Sequence, residues 1–204
     1  MLKHTRGVLS WNRADDNGKL FNWSGELSLS EWDGIAPSVT PSSKRVQIDE
    51  NGMIVKLFLN YLGMEGTLPP SIGNLTSLTH FYVGNNKLTN VPHSIGNLVS
   101  LTYLDVRNNQ LSHIPDWIGN LKSLAVLDIS NNQLSHIPDW IGNLKSLAVR
   151  GVGNNQLSQI PDSIDSLTYL TVLNVRYNPI TSTQEGKDDV KRRFGKSGLS
   201  IWVR

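Results

Sequence analysis

The sequence predicts an α/β chain, mostly β with 3₁₀ turns, wound as a solenoid of short strands. Three observations predict it. The first is a repeat: NNQLSHIPDWIGNLKSLAV at 108–126 recurs unchanged at 131–149, a shift of 23 residues. Related copies flank this pair, so that units start at Ile54, Leu78, Leu101, Leu124, Leu147 and Leu170, the first step being 24 residues and the others 23. A fixed period in this range marks a stacked-repeat architecture. The second is composition: 27 Leu and 20 Asn among 204 residues. Leu favours helices and Asn opposes them, and a short repeat with separate Leu and Asn columns reconciles the two. The third is a change of apolar pattern within each unit, from alternation to a Pro-marked turn.

Taken in chain order, residues 1–53 read as an N-terminal cap and connecting ribbon, with a Ser/Pro-rich loop or β-ribbon over 36–51. Residues 54–180 carry six repeats, the last one partial. Within L-x-x-L-x-V-x-x-N-x-L from Leu101 to Leu111, alternation through Leu104 and Val106 predicts a short strand. Ile114-Pro115 then turns the chain, because Pro fixes φ and lacks an N–H donor. Ile118 and Leu121 return apolar side chains to the interior. A 23-residue unit leaves little room for a full return helix, so 3₁₀ or extended turns are expected there. No coil can bury its apolar edge alone, but stacked coils share one core. Asn86, Asn109, Asn132, Asn155 and Asn178 form a column directly after the strands, where buried amides would satisfy backbone groups of the turn. Leu62 stands in that column in the first unit. Residues 181–204 read as a C-terminal cap, with a helix over Lys187–Phe194 and a strand over Leu199–Val203 that shield the last coil.

Composition also excludes whole classes of function. No run of about 18 apolar residues exists, so no membrane-spanning helix is expected. With no Cys there is no disulfide framework, thiol nucleophile or thiolate metal site. No nucleophile elbow or phosphate-binding Gly loop appears, so the chain is read as no enzyme, without catalytic residues. His113 and His136 repeat in register, but two imidazoles are too few for a zinc site, so no metal or cofactor is expected. The basic residues Lys187, Lys191, Arg192, Arg193, Lys196 and Arg204 read as the solvated side of a terminal cap rather than a nucleic-acid site. Asn22-Trp23-Ser24 and Asn74-Leu75-Thr76 satisfy the glycosylation sequon, usable only in a secretory pathway. The compartment stays open.

The six-fold pattern, with its IPDWIGNLKSL and LPPSIGNLTSL elements, resembles the leucine-rich-repeat family, in the short form of plant-type and bacterial arrays. Trp23, Trp32 and Gly34-Ile35 resemble the Trp-rich segment that precedes many extracellular arrays, without its usual Cys pair. Asn178-Pro179-Ile180 resembles a closing repeat. The resemblance implies a right-handed leucine-rich-repeat solenoid with a parallel sheet on its concave side, and binding of protein or peptide ligands rather than catalysis.

On that concave face should stand the residues that alternate with the core Leu. The aromatic and charged ones gather in the N-terminal half, so the expected ligand-binding set is Phe58, Tyr61, His80, Tyr82, Tyr103, Asp105, Arg107 and Asp128. Asp105 and Asp128 are expected to lie open to water and ionised. Trp117 and Trp140, also in register, read as stacked rings covering the opposite turn, with weak self-association of an otherwise monomeric chain as the sharper alternative. The leading functional reading is a non-catalytic recognition module. The alternative is a structural or scaffold fragment of a larger receptor or effector, and the unchanged duplication fits recent duplication and engineering alike.

Arg150 breaks the pattern, standing in a column otherwise filled by Leu57, Phe81, Leu104, Leu127 and Leu173. A buried partner, a displaced strand or an altered residue would each account for it. Displacement, with the side chain snorkelling to a solvent edge, is the expected outcome.

Overall fold

The computed structural model describes residues 46–51, 53–195 and 198–203. Most of the expected N-terminal cap, with Trp23, Trp32, Gly34-Ile35 and the sequon at Asn22, lies outside these residues, as do Lys196 and Arg204. Among the described residues the ten strands are β1 (Val46–Ile48), β2 (Ile54–Phe58), β3 (Glu65–Thr67), β4 (His80–Tyr82), β5 (Lys87–Asn90), β6 (Tyr103–Asp105), β7 (Val126–Asp128), β8 (Val149–Gly151), β9 (Val172–Asn174) and β10 (Ser200–Trp202). Eight of them form one sheet in the order β1-β2-β4-β6-β7-β8-β9-β10. β1 runs antiparallel to β2, and every later pairing is parallel. The turn between β1 and β2 is closed by the Asp49 carboxylate, which accepts N–H bonds from Asn51 and Met53, both at 2.9 Å.

Constant period becomes constant register. Tyr103 faces Val126 and then Val149 and Val172, while Leu104 faces Leu127 one place along. Because side chains alternate across a strand, Leu57, Phe81, Leu104, Leu127 and Leu173 all turn inward and are buried. Each unit then runs through a Pro in extended conformation into a five-residue 3₁₀ turn: Pro70–Asn74, His93–Asn97, Asp116–Asn120, Asp139–Asn143 and Asp162–Ser166. The apolar Ile of each turn closes the core from the far side.

Two columns lock coil to coil. In the first, Asn132 Oδ1 accepts the Leu111 N–H of the preceding coil at 3.0 Å, while its Nδ2 donates to the carbonyls of Val106 and Ile129 at 3.1 Å each. Asn86, Asn109, Asn155 and Asn178 repeat the arrangement. In the first unit, where Leu62 stands in place of Asn, the neighbouring strand among the described residues is antiparallel β1 rather than a repeat strand. The second column is the glycine of each Ile-Gly-Asn turn. A β-carbon on Gly96 would lie 3.1 Å from Trp117 Cβ, and one on Gly119 would lie 3.2 Å from Trp140 Cβ. The next coil rests on that bare backbone. In the last complete repeat Asp165 takes the glycine's place, where the next element to pack on the turn is the cap.

That cap is built on helix α1 (Gln184–Phe194) and β10. The helix starts three residues before the expected Lys187 because Thr183 Oγ1 accepts the Gly186 N–H at 3.1 Å, an N-cap bond. Val190 and Phe194 face the core. Arg193 fastens the helix to the last turn: it donates to the carbonyls of Ile160 (2.7 Å) and Pro161 (2.9 Å) and pairs with Asp162 (2.9 Å) and Asp165 (3.4 Å). Lys191 pairs with Asp188 and Arg192 with Asp189, so this basic segment is largely neutralised within itself. No helix among the described residues is long and apolar enough to cross a membrane.

Three features depart from expectation. β3 and β5 make a second, two-stranded parallel sheet beyond the main strands, tied by Lys87 Nζ to Glu65 Oε1 at 3.1 Å. Trp117 is a core residue and Trp140 is half-buried; Trp117 meets His93 edge-on at 6.2 Å. The third is Arg150, which is neither displaced nor snorkelling. β8 pairs in register with β7 and β9, Arg150 is 0% exposed, and its three side-chain nitrogens have no hydrogen-bond partner. The register it shares with both neighbouring strands points the side chain inward, and burial lowers its pKa to about 9.

Candidate functional site

On the outer face of the main sheet, the residues between the inward Leu form two neighbouring clusters. β2, β4 and β6 carry the aromatic one. Phe58 and Tyr82 stack with centroids 4.7 Å apart and planes 8° off parallel, and Tyr82 continues to Tyr103 at 4.8 Å and 34°. His80 lies parallel to Tyr103 at 5.8 Å, its Nδ1 in a hydrogen bond with Thr79 Oγ1 at 2.9 Å. Neighbouring parallel strands are about 4.8 Å apart, close to a comfortable ring spacing, so the register partners Phe58–Tyr82 and His80–Tyr103 stack directly, while Tyr82 meets Tyr103 across the diagonal. The four rings are half-buried and cover one another's faces.

Burial sets the protonation of this cluster. It raises the phenol pKa of Tyr82 and of Tyr103, with the Asp105 charge adding to both. Both hydroxyls are therefore neutral donors across the physiological range. Burial, followed by the nearby Lys56 charge, lowers the pKa of His80, which keeps the imidazole neutral.

The charged cluster lies on β6 and β7. Arg107 reaches Asp105 at 3.3 Å and Asp128 at 3.8 Å. Asp105 Oδ1 accepts the Arg107 N–H, and Asp128 Oδ1 accepts the N–H and hydroxyl of Ser130. Asp105 is not open to water as expected: it is 2% exposed, folded beneath Arg107. Desolvation raises its pKa and outweighs the N–H bond and the Arg107 charge that lower it. Arg107 itself is 47% exposed, with Asp105 beneath it holding its guanidinium.

Tyr61 stands apart from both clusters, 70% exposed, with φ of 59°. Asn85, Asn108, Asn131, Asn154 and Tyr177 share this left-handed conformation. The sequence places these residues just beyond the concave plate; their shared left-handed backbone was missed, although Asn tolerates such a φ better than most residues and the Asn-Asn doublets mark it. Also missed was the pair at the far end of the sheet, where the Arg176 guanidinium lies 4.9 Å over the Trp202 ring. Arg176 belongs to the partial last unit and Trp202 to the cap, so no repeat column joins the two. His113 and His136 are exposed and each contacts only its neighbouring serine, Ser112 or Ser135, among the hydrogen-bonding groups described. Among the described residues no group of three or more metal-ligating side chains assembles.

A search of curated proteins gives no match. Solved structures do match. An internalin from Listeria monocytogenes is 27% identical over 76% of this chain and 49% of its own, with a TM-score of 0.58. The Arabidopsis receptor kinase HAESA, in complex with the peptide hormone IDA and a co-receptor, is 30% identical over 74% of this chain and 26% of its own, with a TM-score of 0.63. The plant peptide hormone receptor RGFR1, in complex with RGF2, is 38% identical over 56% and 19%, with a TM-score of 0.53. The chain thus spans less than half the length of each of these proteins. The model of the leucine-rich repeat region matches residues 42–129 and again 93–187, together well over half of the chain. With its stacked parallel strands, 3₁₀ returns and Asn column, the chain belongs to the leucine-rich-repeat family.

Proposed function

We propose that this chain is a non-catalytic recognition module that binds a protein or peptide ligand across the outer, concave face of its main sheet. The carrying observation is the stack of Phe58, Tyr82 and Tyr103 beside the Arg107 clamp, an ordered aromatic and charged surface of the kind that supplies binding hot spots. The rings are held by one another and by the sheet, so little side-chain freedom is lost on binding. Likeness to receptors solved with peptide hormones supports the same reading. Tyr82 and Tyr103 are the central anchors, with Phe58, Tyr61, His80, Arg107 and Asp128 around them.

The test is to pan a library of linear peptides against the intact chain and to measure the selected peptides on the Tyr82→Ala/Tyr103→Ala variant. Affinity is expected to fall at least about 100-fold, in line with the loss of two hot-spot side chains, with the far-ultraviolet circular-dichroism spectrum unchanged. Retained affinity with an intact spectrum rejects this face.

A further inference from the structure

Arg150 poses a problem that its surroundings leave unanswered. It is fully buried, its three nitrogens lack partners, and its neighbours in the column are Leu127 and Leu173. Holding a cation there is strongly unfavourable. The strand that carries it is also loosely fastened. Gly151 and Gly153 lie on either side of Val152 and weaken it as a strand. On β6, β7 and β9, Asp105, Asp128 and Asn174 each accept the N–H two residues on, a local lock that Gly151 cannot make.

The outer face meanwhile holds a fitting partner. Register places position 150 beside Leu127, one residue before Asp128. The Asp128 carboxylate already leans over β8, with Oδ1 at 2.6 Å from where a β-carbon on Gly151 would stand. Arg107 approaches its other oxygen only to 3.8 Å.

We propose that β8 is bistable, turning over so that Arg150 passes from the core to the outer face and pairs with Asp128 while Val149 takes its place inside. Strand side chains alternate, so one turnover exchanges the two faces. Val149 enters the core as Val152 leaves it, which keeps the buried apolar surface similar, and the two glycines supply the backbone freedom. The turned-over strand sets a cation midway between the aromatic stack and the Arg176–Trp202 pair. A ligand that bears an acidic group binds that state better and draws the strand outward, because a population shifts only by differential affinity.

The experiment needs no ligand. In hydrogen exchange on the intact chain, amides of 149–153 are expected to exchange at least about tenfold faster than those of β7 and β9, a local opening below the global one. Arg150→Leu is expected to bring them level. An arginine-directed dicarbonyl reagent is expected to label Arg150 in the folded protein, more slowly than exposed Arg192. Asp128→Asn is expected to reduce that labelling several-fold. Protection of β8 equal to its neighbours, or Arg150 unlabelled while Arg192 reacts fully, overturns the turnover. Labelling that is unchanged or faster in Asp128→Asn overturns the pairing with Asp128.

Discussion

Asn132 joins two coils with a single amide, and its removal would leave the Leu111 N–H and two strand carbonyls short of a partner in a buried setting. Asn132→Ala is therefore expected to destabilise the fold by roughly 2–4 kcal/mol, read from urea denaturation. Arg150→Leu has the opposite sign. It restores the column and removes an unpaired buried cation, so a gain of roughly 1–3 kcal/mol is expected; an unchanged midpoint at unchanged m-value would refute it. Asp105 supplies a pH test. Its folded pKa is raised, so its contribution to stability is fully present below the unfolded pKa and is lost as pH rises through the folded value. Asn174 already makes the same N–H bond on β9, so Asp105→Asn keeps the turn and removes the titration. The stability of Asp105→Asn relative to the native protein is expected to rise between acid and neutral pH; a flat difference contradicts the burial assigned to Asp105. The Asn column was legible in the sequence because period and chemistry coincide there. The burial of Asp105 was not, because it depends on Arg107 folding over from two residues away.

Strands and turns were the most legible elements, since Leu alternation and Ile-Pro each signal a backbone state directly. The β3–β5 sheet was not, because Glu65, Gly66 and Thr67 show no apolar alternation and pair only because β5 lies in reach. The cap helix was legible as a helix but began early, since Thr183 as a capping residue was overlooked. Its attachment rests on Arg193, whose two carbonyl bonds and two acidic partners come from the last turn. Arg193→Ala is expected to lower stability by about 1–3 kcal/mol, since hydrogen bonds to a charged donor are among the stronger ones. The loss should appear first as faster hydrogen exchange in Gln184–Phe194 and β10, ahead of β4 to β7. Exchange that accelerates uniformly would mean that the helix is not held by this residue.

As a whole molecule, the array is a stack in which each coil touches only its neighbours, so stability is close to a sum over units and interfaces. Deleting residues 108–130 joins Arg107 to Asn131 and keeps every column in phase. That shortened chain is expected to fold with the same circular dichroism per residue and a lower midpoint of thermal unfolding; a molten product would show that the units are not interchangeable. Architecture was legible from the period alone, whereas the clusters on the outer face of the sheet were legible only as residue types, because ring stacking and ion pairing arise between coils rather than within one. The glycine beneath each successive turn has a consequence for how such a chain can change. Since every coil rests on its predecessor through the same bare contact, a unit can be copied without retuning the joint. The two duplicated units differ, from 108–130 to 131–153, only in Leu-Asp-Ile-Ser against Arg-Gly-Val-Gly. Between the two copies the support of the coil is unchanged, and all the variation falls in one strand and the bend that follows it.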